Sequence, residues 1–463
     1  MQLSRTERLL RVFTDIRPGE GPTALLMFAN VFLILCAYYF IKPLREGWIA
    51  ISDVAGLSKM EVKAYSSFAQ SMLLLFVVGW YGRLAVRWDR ATLVTRATLF
   101  CISNIVLFWF LQPDFFFRAL PITGILFYLW VGMFGVFVVA QFWTFAADVY
   151  TEERGKRLLP VVAIGATSGA AAGSWMVGKL LQSGFPTEGL LLASTAPLFV
   201  SIALTRRVDL RERGAKRRQP APVSDVKAQQ QGLGFLLDGA KLVLASRFML
   251  AAAAVTLLVN WVNTNGENLL FRVVMESLAE RAGEQGITDT MAIADFTQVG
   301  TTAFYGNFYF WVNILALLLQ SIFASRILKY GGFAAIILIL PVISLASYTT
   351  MALLPVLAIV KFMKVAENAT DYSLNNTARH VLWLPMSSEM KFRGKPAIDT
   401  LYVRVGDGLA AVTVLIGVQV LALATEMFFV FNVSLVVLWL AFTFMLIGEY
   451  KRAAEASLVD GEQ

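Results

Sequence analysis

The sequence predicts an all-α, polytopic membrane protein with twelve transmembrane helices in two halves of six. Of its 463 residues, 57% are hydrophobic and 16% are charged, against about 45–50% and about 25% in soluble domains. A spanning helix needs about 20 mostly apolar residues, and unbroken apolar runs differ from the alternating strands of a membrane barrel. Twelve stretches meet these conditions, at residues 23–44, 66–86, 92–111, 121–147, 160–181, 187–205, 248–270, 303–325, 333–353, 355–384, 397–424 and 427–448.

The positions of Lys and Arg predict the orientation, because cytoplasmic loops are enriched in both. Counted from a cytoplasmic N-terminus, inside segments carry groups such as Arg83, Arg87 and Arg90, whereas outside segments carry few, among them Lys59 and Lys63. We therefore expect both termini in the cytoplasm and the chain in a bacterial inner membrane. The net charge of +8 follows from this topology. No basic soluble domain is visible, so we predict no nucleic-acid partner, and we expect a functional monomer in contact with membrane lipid.

A basic, Pro-containing segment at 206–231 interrupts the hydrophobic pattern and is typical of a cytoplasmic linker. The amphipathic stretch that follows, LGFLLDGAKLVLASR (233–247), predicts an interfacial helix. The predicted organisation is an N-terminal half at 1–205, the linker and interfacial helix at 206–247, and a C-terminal half at 248–463.

The residue types argue against an enzyme, a metal site or a cofactor. Cys36 and Cys101 lie within predicted helices and His380 is the one histidine, so the sequence has no metal-ligand spacing and no disulfide framework. The sequence has no nucleophile elbow and no Walker A motif, and the absence of the Walker A motif argues against ATP-driven pumping by this chain alone. The first apolar stretch is too long for a removable signal peptide.

The tenth stretch is unusual because it is charged. At about 100° per residue, its polar residues fall within a sector of roughly 120°, and they are Lys361, Lys364, Glu367, Asn368, Asp371, Asn375 and Arg379. An ion facing lipid costs at least a few kcal/mol, so this face must meet protein or water. It is either a salt-bridge ladder that fixes helix packing or the wall of an aqueous pathway. Seven polar groups exceed what packing requires, which favours the pathway.

The first stretch carries a second charged face in the segment AYYFIKPLREGW (37–48). This face contains Tyr38, Tyr39, Lys42, Arg45 and Glu46. A guanidinium fork beside an ammonium suits phosphate or carboxylate and predicts an anion clamp. The alternative is an anchor at the membrane surface, where aromatic and basic residues are favoured.

Fainter candidates lie elsewhere. Glu267 is in the seventh stretch, and Arg404 and Asp407, in the eleventh, are spaced for either a structural ion pair or a role in coupling. Charges around Arg154 and Arg157 predict either a gate network or a solvated loop. The small-residue run at 165–178 predicts close helix packing.

Two resemblances follow from these motifs. The loops GRLAVRWDRATLV (82–94) and SRILKYGGFAAII (325–337) resemble the loop between the second and third helices of the major facilitator superfamily. The segment DYSLNNTARHVLWLPMSSEMKFRGKPAID (371–399) resembles the signature of the ATP/ADP translocase family, the nucleotide transporters of plastids and intracellular bacteria. Its matching positions are Tyr372, Ser373, Leu374, Arg379, Pro385, Glu389, Lys391, Arg393, Gly394, Lys395, Ile398 and Asp399. The resemblance implies a nucleotide exchanger on the major facilitator fold.

The chain departs from the family at three positions. Asp371 stands where a Lys is usual, His380 where a Glu is usual, and Asn376 where an acid is usual. We therefore interpret the chain as a divergent bacterial member: a secondary transporter of an anionic, phosphate-bearing solute by alternating access, with nucleotide exchange the first candidate. The alternatives are a proton-coupled carrier of another organic or lipid-linked anion, and a non-transporting receptor or scaffold on a transporter fold.

Each charged group has a predicted role. The residues predicted to bind solute are Tyr39, Lys42, Arg45, Asn375, Arg379 and Lys395. Those predicted to couple or gate transport are Glu46, Glu267, Lys364, Glu367, Asp371, Arg404 and Asp407. A cation can pair with a carboxylate when the site is empty and with the solute when the site is occupied. These two pairings give a gate the two arrangements that alternating access requires.

Overall fold

A computed structural model describes residues 16–85, 90–112, 121–216 and 233–460. Within these ranges every regular element is a helix. Most of the predicted linker, from 217, and part of the first basic loop, at 86–89, lie outside the described residues.

Fifteen α-helices lie within the described residues. The first seven are α1 (Gly21–Ile51), α2 (Lys59–Ala85), α3 (Arg90–Phe110), α4 (Pro121–Val149), α5 (Glu152–Gln182), α6 (Gly189–Lys216) and α7 (Leu233–Ala245). The others are α8 (Arg247–Glu284), α9 (Thr290–Leu318), α10 (Ser325–Leu353), α11 (Leu357–Thr370), α12 (Asn376–Val381), α13 (Lys395–Ala397), α14 (Val403–Leu415) and α15 (Thr425–Asp460). Helical turns of π type occur at Leu319–Ala324, Asp371–Asn375, Met390–Gly394, Ile398–Tyr402 and Ile416–Val420.

Nine helical segments among the described residues are long and apolar enough to cross a membrane. One of them, Thr290–Leu353, contains two predicted spans, and Gly332 breaks its helical geometry between them with φ 67°. Two helices at further predicted spans, α2 and the charged α11, are not among the nine. The predicted all-α, multi-pass membrane fold is confirmed, and the count of twelve is consistent with these helices.

The described chain forms two compact units. Unit 1 comprises residues up to Ser52, Trp80–Gln229 and Gln298–Ile314, and unit 2 comprises Asp53–Gly79, Gln230–Thr297 and the chain from Leu315 onwards. The domain boundaries at 205 and 248 stay a prediction.

In unit 1, α1 packs closely against α5 because α5 presents small residues to it. A Cβ added at Gly165 would lie 2.8 Å from the carbonyl oxygen of Phe28, and one at Gly173 would lie 2.5 Å from that of Cys36. These distances are shorter than a van der Waals contact, so only glycine allows the two backbones to approach this closely. The predicted packing role of the run at 165–178 is confirmed.

A buried charge network joins the N-terminal ends of α1 and α5 to the C-terminal end of α6. Arg157 donates two hydrogen bonds of 2.9 Å to the carboxylate of Glu20, and Arg154 lies 3.1 Å from Glu212. The hydroxyl of Thr23 donates to Glu212 at 2.7 Å. Both carboxylates are buried, so Arg154 and Arg157 are part of the packing of unit 1 rather than of a solvated loop.

The network acts on the pKa of Glu20, which lies outside the spanning segment. Burial by itself raises this pKa, but the hydrogen bonds from Arg157 and from the backbone N–H of Arg17 more than offset it, and the pKa is lowered. A carboxyl group whose pKa falls on folding stabilises the protein at pH values above the ordinary pKa of that group, which is about 4.3 for Glu. That stability is lost as the pH falls through the lowered value.

We expect Glu20→Gln to lower the free energy of unfolding at pH 7 by about 1.5–3 kcal/mol, the contribution of hydrogen bonds to a charged group. Thermal unfolding of the purified protein measures this. The difference from wild type should shrink in acid below about pH 4.3. Glu153→Gln is the control, because the Glu153 carboxylate is 66% exposed in its pair with Arg17 and should contribute little. Equal effects of the two variants at pH 7 would contradict the network's role.

Candidate functional site

A cation surrounded by aromatic rings lies in unit 1. The ammonium of Lys42 is 4.0 Å from the ring centroid of Tyr309, 5.0 Å from that of Tyr39 and 6.0 Å from that of Tyr38. Cations within about 6 Å of a ring centroid are attracted by the ring. Lys42 is partly exposed as a residue, so the rings hold its ammonium in position without burying the side chain completely.

The second cation of α1 is more deeply buried. Arg45 is 9% exposed and Glu46 is 1% exposed, and their closest nitrogen and oxygen atoms are 2.5 Å apart. The guanidinium also lies 4.3 Å from the ring centroid of Tyr128. The predicted face of α1 is therefore present, with Lys42 more accessible and Arg45 neutralised by its neighbour in sequence.

A buried ammonium forms the centre of a charge cluster in unit 2. Lys364 on α11 is fully buried. Its Nζ lies 2.7 Å from Glu367 and 3.7 Å from Glu267, and donates to the amide oxygen of Asn263 at 3.4 Å. An ion this deeply buried must be paired, because its desolvation costs several kcal/mol. The predicted ladder between Lys364 and Glu367 is thus present.

Neighbouring helices hold both carboxylates of this cluster. Ser344 on α10 donates to Glu367 at 3.2 Å, and Asn368 donates to Glu267 at 2.8 Å. Lys63 on α2 donates to the backbone oxygen of Glu267 at 3.3 Å. These hydrogen bonds satisfy acceptors that the low-polarity interior would otherwise leave without partners.

Gly266 on α8 leaves the space that Lys364 occupies. A Cβ at this position would lie 2.8 Å from the Lys364 Nζ and would also meet the hydroxyl of Tyr348. That hydroxyl donates to the backbone oxygen of Val262 at 3.2 Å. The lack of a side chain at Gly266 is therefore part of the charge cluster.

The pair predicted on the eleventh span has a third partner. Arg404 lies 3.2 Å from Asp407 and donates to the hydroxyl of Ser71 at 2.7 Å. Ser71 itself donates to Asp407, as does Thr264 at 2.9 Å. Asp407 thus connects α14 with α2 and α8.

The other predicted site residues form two local groups. Asn375 donates to Asp371 at 2.7 Å, within one π-helical turn. Arg379 and Lys395 both approach Asp399, at 3.0 Å and 3.8 Å. Asp399 was counted only as a position that matches the family, and its pairing with both cations was not predicted.

The structure therefore divides the predicted site residues among separate contacts. Tyr39, Lys42, Arg45 and Glu46 lie together in unit 1. In unit 2, Glu267, Lys364 and Glu367 form one group, Arg404 and Asp407 a second, Asp371 and Asn375 a third, and Arg379 and Lys395 a fourth. Sequence reasoning missed Tyr309, Lys63 and Ser71 because each is distant in the chain from its partner. Within the described ranges, no group of His, Cys, Asp and Glu side chains could hold a metal ion.

Comparison with known proteins finds a family match in the C-terminal part of the chain. Residues 295–450 match the family model described as the TLC ATP/ADP transporter. The matched region contains α10, α11, α14 and the segment 371–399, so the resemblance seen in that segment is confirmed.

The individual relatives are distant. ADP,ATP carrier protein 1 of Chlamydia pneumoniae is 23% identical over 161 residues, which are 29% of this chain and 31% of the carrier. The chain thus spans about a third of the length of the curated relatives it matches.

Solved transporters share the fold over nearly the whole chain. A mutant of the nucleoside transporter NupG superposes with a TM-score of 0.59 at 14% identity, covering 91% of this chain and 99% of NupG. The POT family transporter PepTSo superposes with a TM-score of 0.60 at 12% identity, covering 93% of this chain and 98% of PepTSo. At such identities the likeness concerns the fold, and the predicted major-facilitator-like architecture is confirmed.

We expect Gly266→Ala to destabilise the protein strongly, because the new methyl group must displace Lys364 or Tyr348 from a packed interior. Overpacking of this kind costs about 1–3 kcal/mol. Gly283→Ala is the matched control on the same helix, since a Cβ there meets nothing within 4 Å. Thermal unfolding of the two variants measures the difference. Equal stability of both would contradict the close approach of α8 to Lys364.

We expect Lys364→Met to lower the free energy of unfolding by about 3–5 kcal/mol, because it leaves Glu367 buried without its ammonium. The double variant Lys364→Met, Glu367→Met should recover most of the loss, since both charges are then removed together. A double-mutant cycle by thermal unfolding measures the coupling between the two side chains. Additive losses would show that the pair does not act as a unit.

Proposed function

We propose that the protein is a secondary transporter of an anionic, phosphate-bearing solute, with a nucleotide as the first candidate. Family and fold both favour a transporter over an enzyme. The observation that carries the choice of solute is the ammonium of Lys42 among the rings of Tyr38, Tyr39 and Tyr309. An ammonium attracts phosphate, and aromatic side chains stack on nucleobases, typically contributing about 1–3 kcal/mol per base.

Lys42 is the stronger candidate for direct contact with the solute, and Arg45 the weaker. Arg45 is buried against Glu46 at 2.5 Å, whereas Lys42 is partly exposed. The Arg45 guanidinium contacts a solute only when its ion pair with Glu46 is broken. This exchange of partners would provide one of the two arrangements that alternating access needs.

The cluster around Lys364 supplies the second proposed exchange. Its ammonium has two carboxylates within reach, Glu367 at 2.7 Å and Glu267 at 3.7 Å. Lys364 and Glu367 both lie on α11, whereas Glu267 lies on α8. Movement of Lys364 from Glu367 to Glu267 therefore replaces an ion pair within α11 by one between α11 and α8. In this proposal the cluster is a gate within unit 2. Arg379 and Lys395, which pair with Asp399, are two further cations that bind the solute when they leave this carboxylate.

A second candidate solute is an organic anion with fewer phosphates. Asp371 stands where the ATP/ADP translocases usually have a lysine, and here it accepts a hydrogen bond from Asn375. A carboxylate at this position repels a polyphosphate where the relatives attract it. The proposed location for either solute is a bacterial inner membrane, with both termini in the cytoplasm.

Exchange by purified protein in liposomes tests the proposal. Labelled ADP is supplied outside and unlabelled ATP inside, and uptake is compared among wild type, Lys42→Gln, Lys42→Arg and Lys241→Gln. We expect Lys42→Gln to lower the rate by about 10–100-fold, the loss of one hydrogen bond to a charged group. Lys42→Arg should retain part of the activity because it keeps the charge.

Lys241→Gln is the control, because Lys241 is 80% exposed in its pair with Asp238 at 3.2 Å. Its rate should equal that of wild type. Exchange of an organic anion but of no nucleotide would select the second candidate. Wild-type exchange by Lys42→Gln would contradict the assignment of the solute to this cluster.

A further inference from the structure

Unit 2 contains a cavity of about 350 Å³ that none of the predicted site residues lines. Its polar side is formed by Ser58 and Lys59 at the start of α2 and by Arg272 and Glu276 on α8. Five residues form the rest of its wall, all of them apolar, with Met275 and Val418 among them. Ligand cavities typically start at about 300 Å³ and combine an apolar wall with a few converging polar groups.

Arg272 is fixed in position but keeps hydrogen-bond donors to spare. Its Nε donates to Glu276 at 2.9 Å and one terminal nitrogen donates to the backbone oxygen of Leu423 at 3.3 Å. Its guanidinium also lies 5.6 Å from the ring centroid of Phe428. A guanidinium has five N–H donors, and in the described part of the chain these two bonds use two of them.

Lys59 brings a second cation to the same cavity. Its ammonium lies 2.7 Å from Asp53, whose carboxylate is 84% exposed. Such surface pairs contribute only about 0–1 kcal/mol, so the pairing with Asp53 adds little stability. The cavity lining thus has two cations, Lys59 and Arg272, against the single carboxylate of Glu276.

We propose that this cavity binds the phosphate group of an organic phosphate. The planar fork of Arg272 matches phosphate oxygens, the ammonium of Lys59 adds a second charge, and the apolar wall accommodates the organic part. A soluble organic phosphate and a phospholipid headgroup offer this same chemistry. The site shares no residue with the Lys42 cluster, and Lys59 belongs to a segment that the charge pattern predicts to be outside the cell.

Protection of a cysteine placed in the cavity wall tests the site locally. The full chain with Val418→Cys is reacted with N-ethylmaleimide, and the labelling rate is followed by mass spectrometry. The natural Cys36 and Cys101 are buried, so they give a low background. The probes are inorganic phosphate and phenyl phosphate, with sodium chloride at equal ionic strength as the salt control.

We expect both probes, but not chloride, to slow labelling by a factor of 1 + [L]/Kd, about tenfold at about ten times the Kd. Phenyl phosphate should act at lower concentration because its ring meets the apolar wall. Arg272→Gln and Lys59→Gln, each added to Val418→Cys, should weaken the protection. Arg281→Gln, an exposed position on the same helix, should leave it intact.

Nanodiscs distinguish the two sources of phosphate. If labelling without added probe is slowed in discs that contain phosphatidylglycerol but not in discs of phosphatidylcholine alone, the cavity is assigned to a lipid headgroup. Protection by phenyl phosphate in both kinds of disc would assign it to a soluble solute. The proposal is overturned if no phosphate compound slows labelling, or if Arg272→Gln and Lys59→Gln are protected as well as Arg281→Gln.

Discussion

The buried ammonium of Lys364 is the constraint on which much of unit 2 depends. An ion inside an apolar helix bundle is tolerated only when oxygen atoms surround it. That requirement brings Glu367, Glu267 and Asn263 to one point and excludes any side chain at Gly266. Three helices are thereby fixed in register, because α8, α10 and α11 each contribute a group that contacts the ammonium or its carboxylate partner.

The two units use charge differently. In unit 2, Lys364 and Glu367 are buried, and Glu367 and Glu267 receive further hydrogen bonds from Ser344 and Asn368. In unit 1 the pair of Arg45 and Glu46 is equally buried, but Lys42 is partly exposed among tyrosine rings. A buried ion pair is shielded from solvent, whereas a partly exposed residue is accessible to a ligand. This contrast is why the proposed solute contact is Lys42 and the proposed gate is Lys364.

Local features of the sequence predicted the fold and part of the site. Apolar runs of about 20 residues predict helices whatever their partners, and a spacing of three residues on one helix predicts that Lys364 can reach Glu367. Contacts between distant segments could not be predicted in this way. Ser71 and Asp407 are 336 positions apart, and nothing in either segment indicates the other.

Residues that share one face of a helix do not all contact one another. The polar sector that begins at Lys361 was interpreted as one surface, yet Lys364 pairs with Glu367, Asn375 with Asp371, and Arg379 with Asp399. Periodicity fixes the direction of a side chain to within a sector. Which neighbour it meets depends on the helices packed around it, and that information is spread over the whole chain.

The most direct test of the central claim, that a partly exposed cation in unit 1 binds a phosphate-bearing solute, is ligand-dependent thermal unfolding. The purified protein is heated with ATP, ADP, adenosine or a phosphate-free organic anion. A ligand at about a hundredfold excess over its Kd stabilises the folded state by about 2.7 kcal/mol. The account predicts stabilisation by ADP or ATP, a weaker effect of adenosine, which keeps the base but lacks the phosphates, and loss of the extra nucleotide effect in Lys42→Gln. Equal stabilisation by adenosine, or an undiminished nucleotide effect in Lys42→Gln, would contradict it.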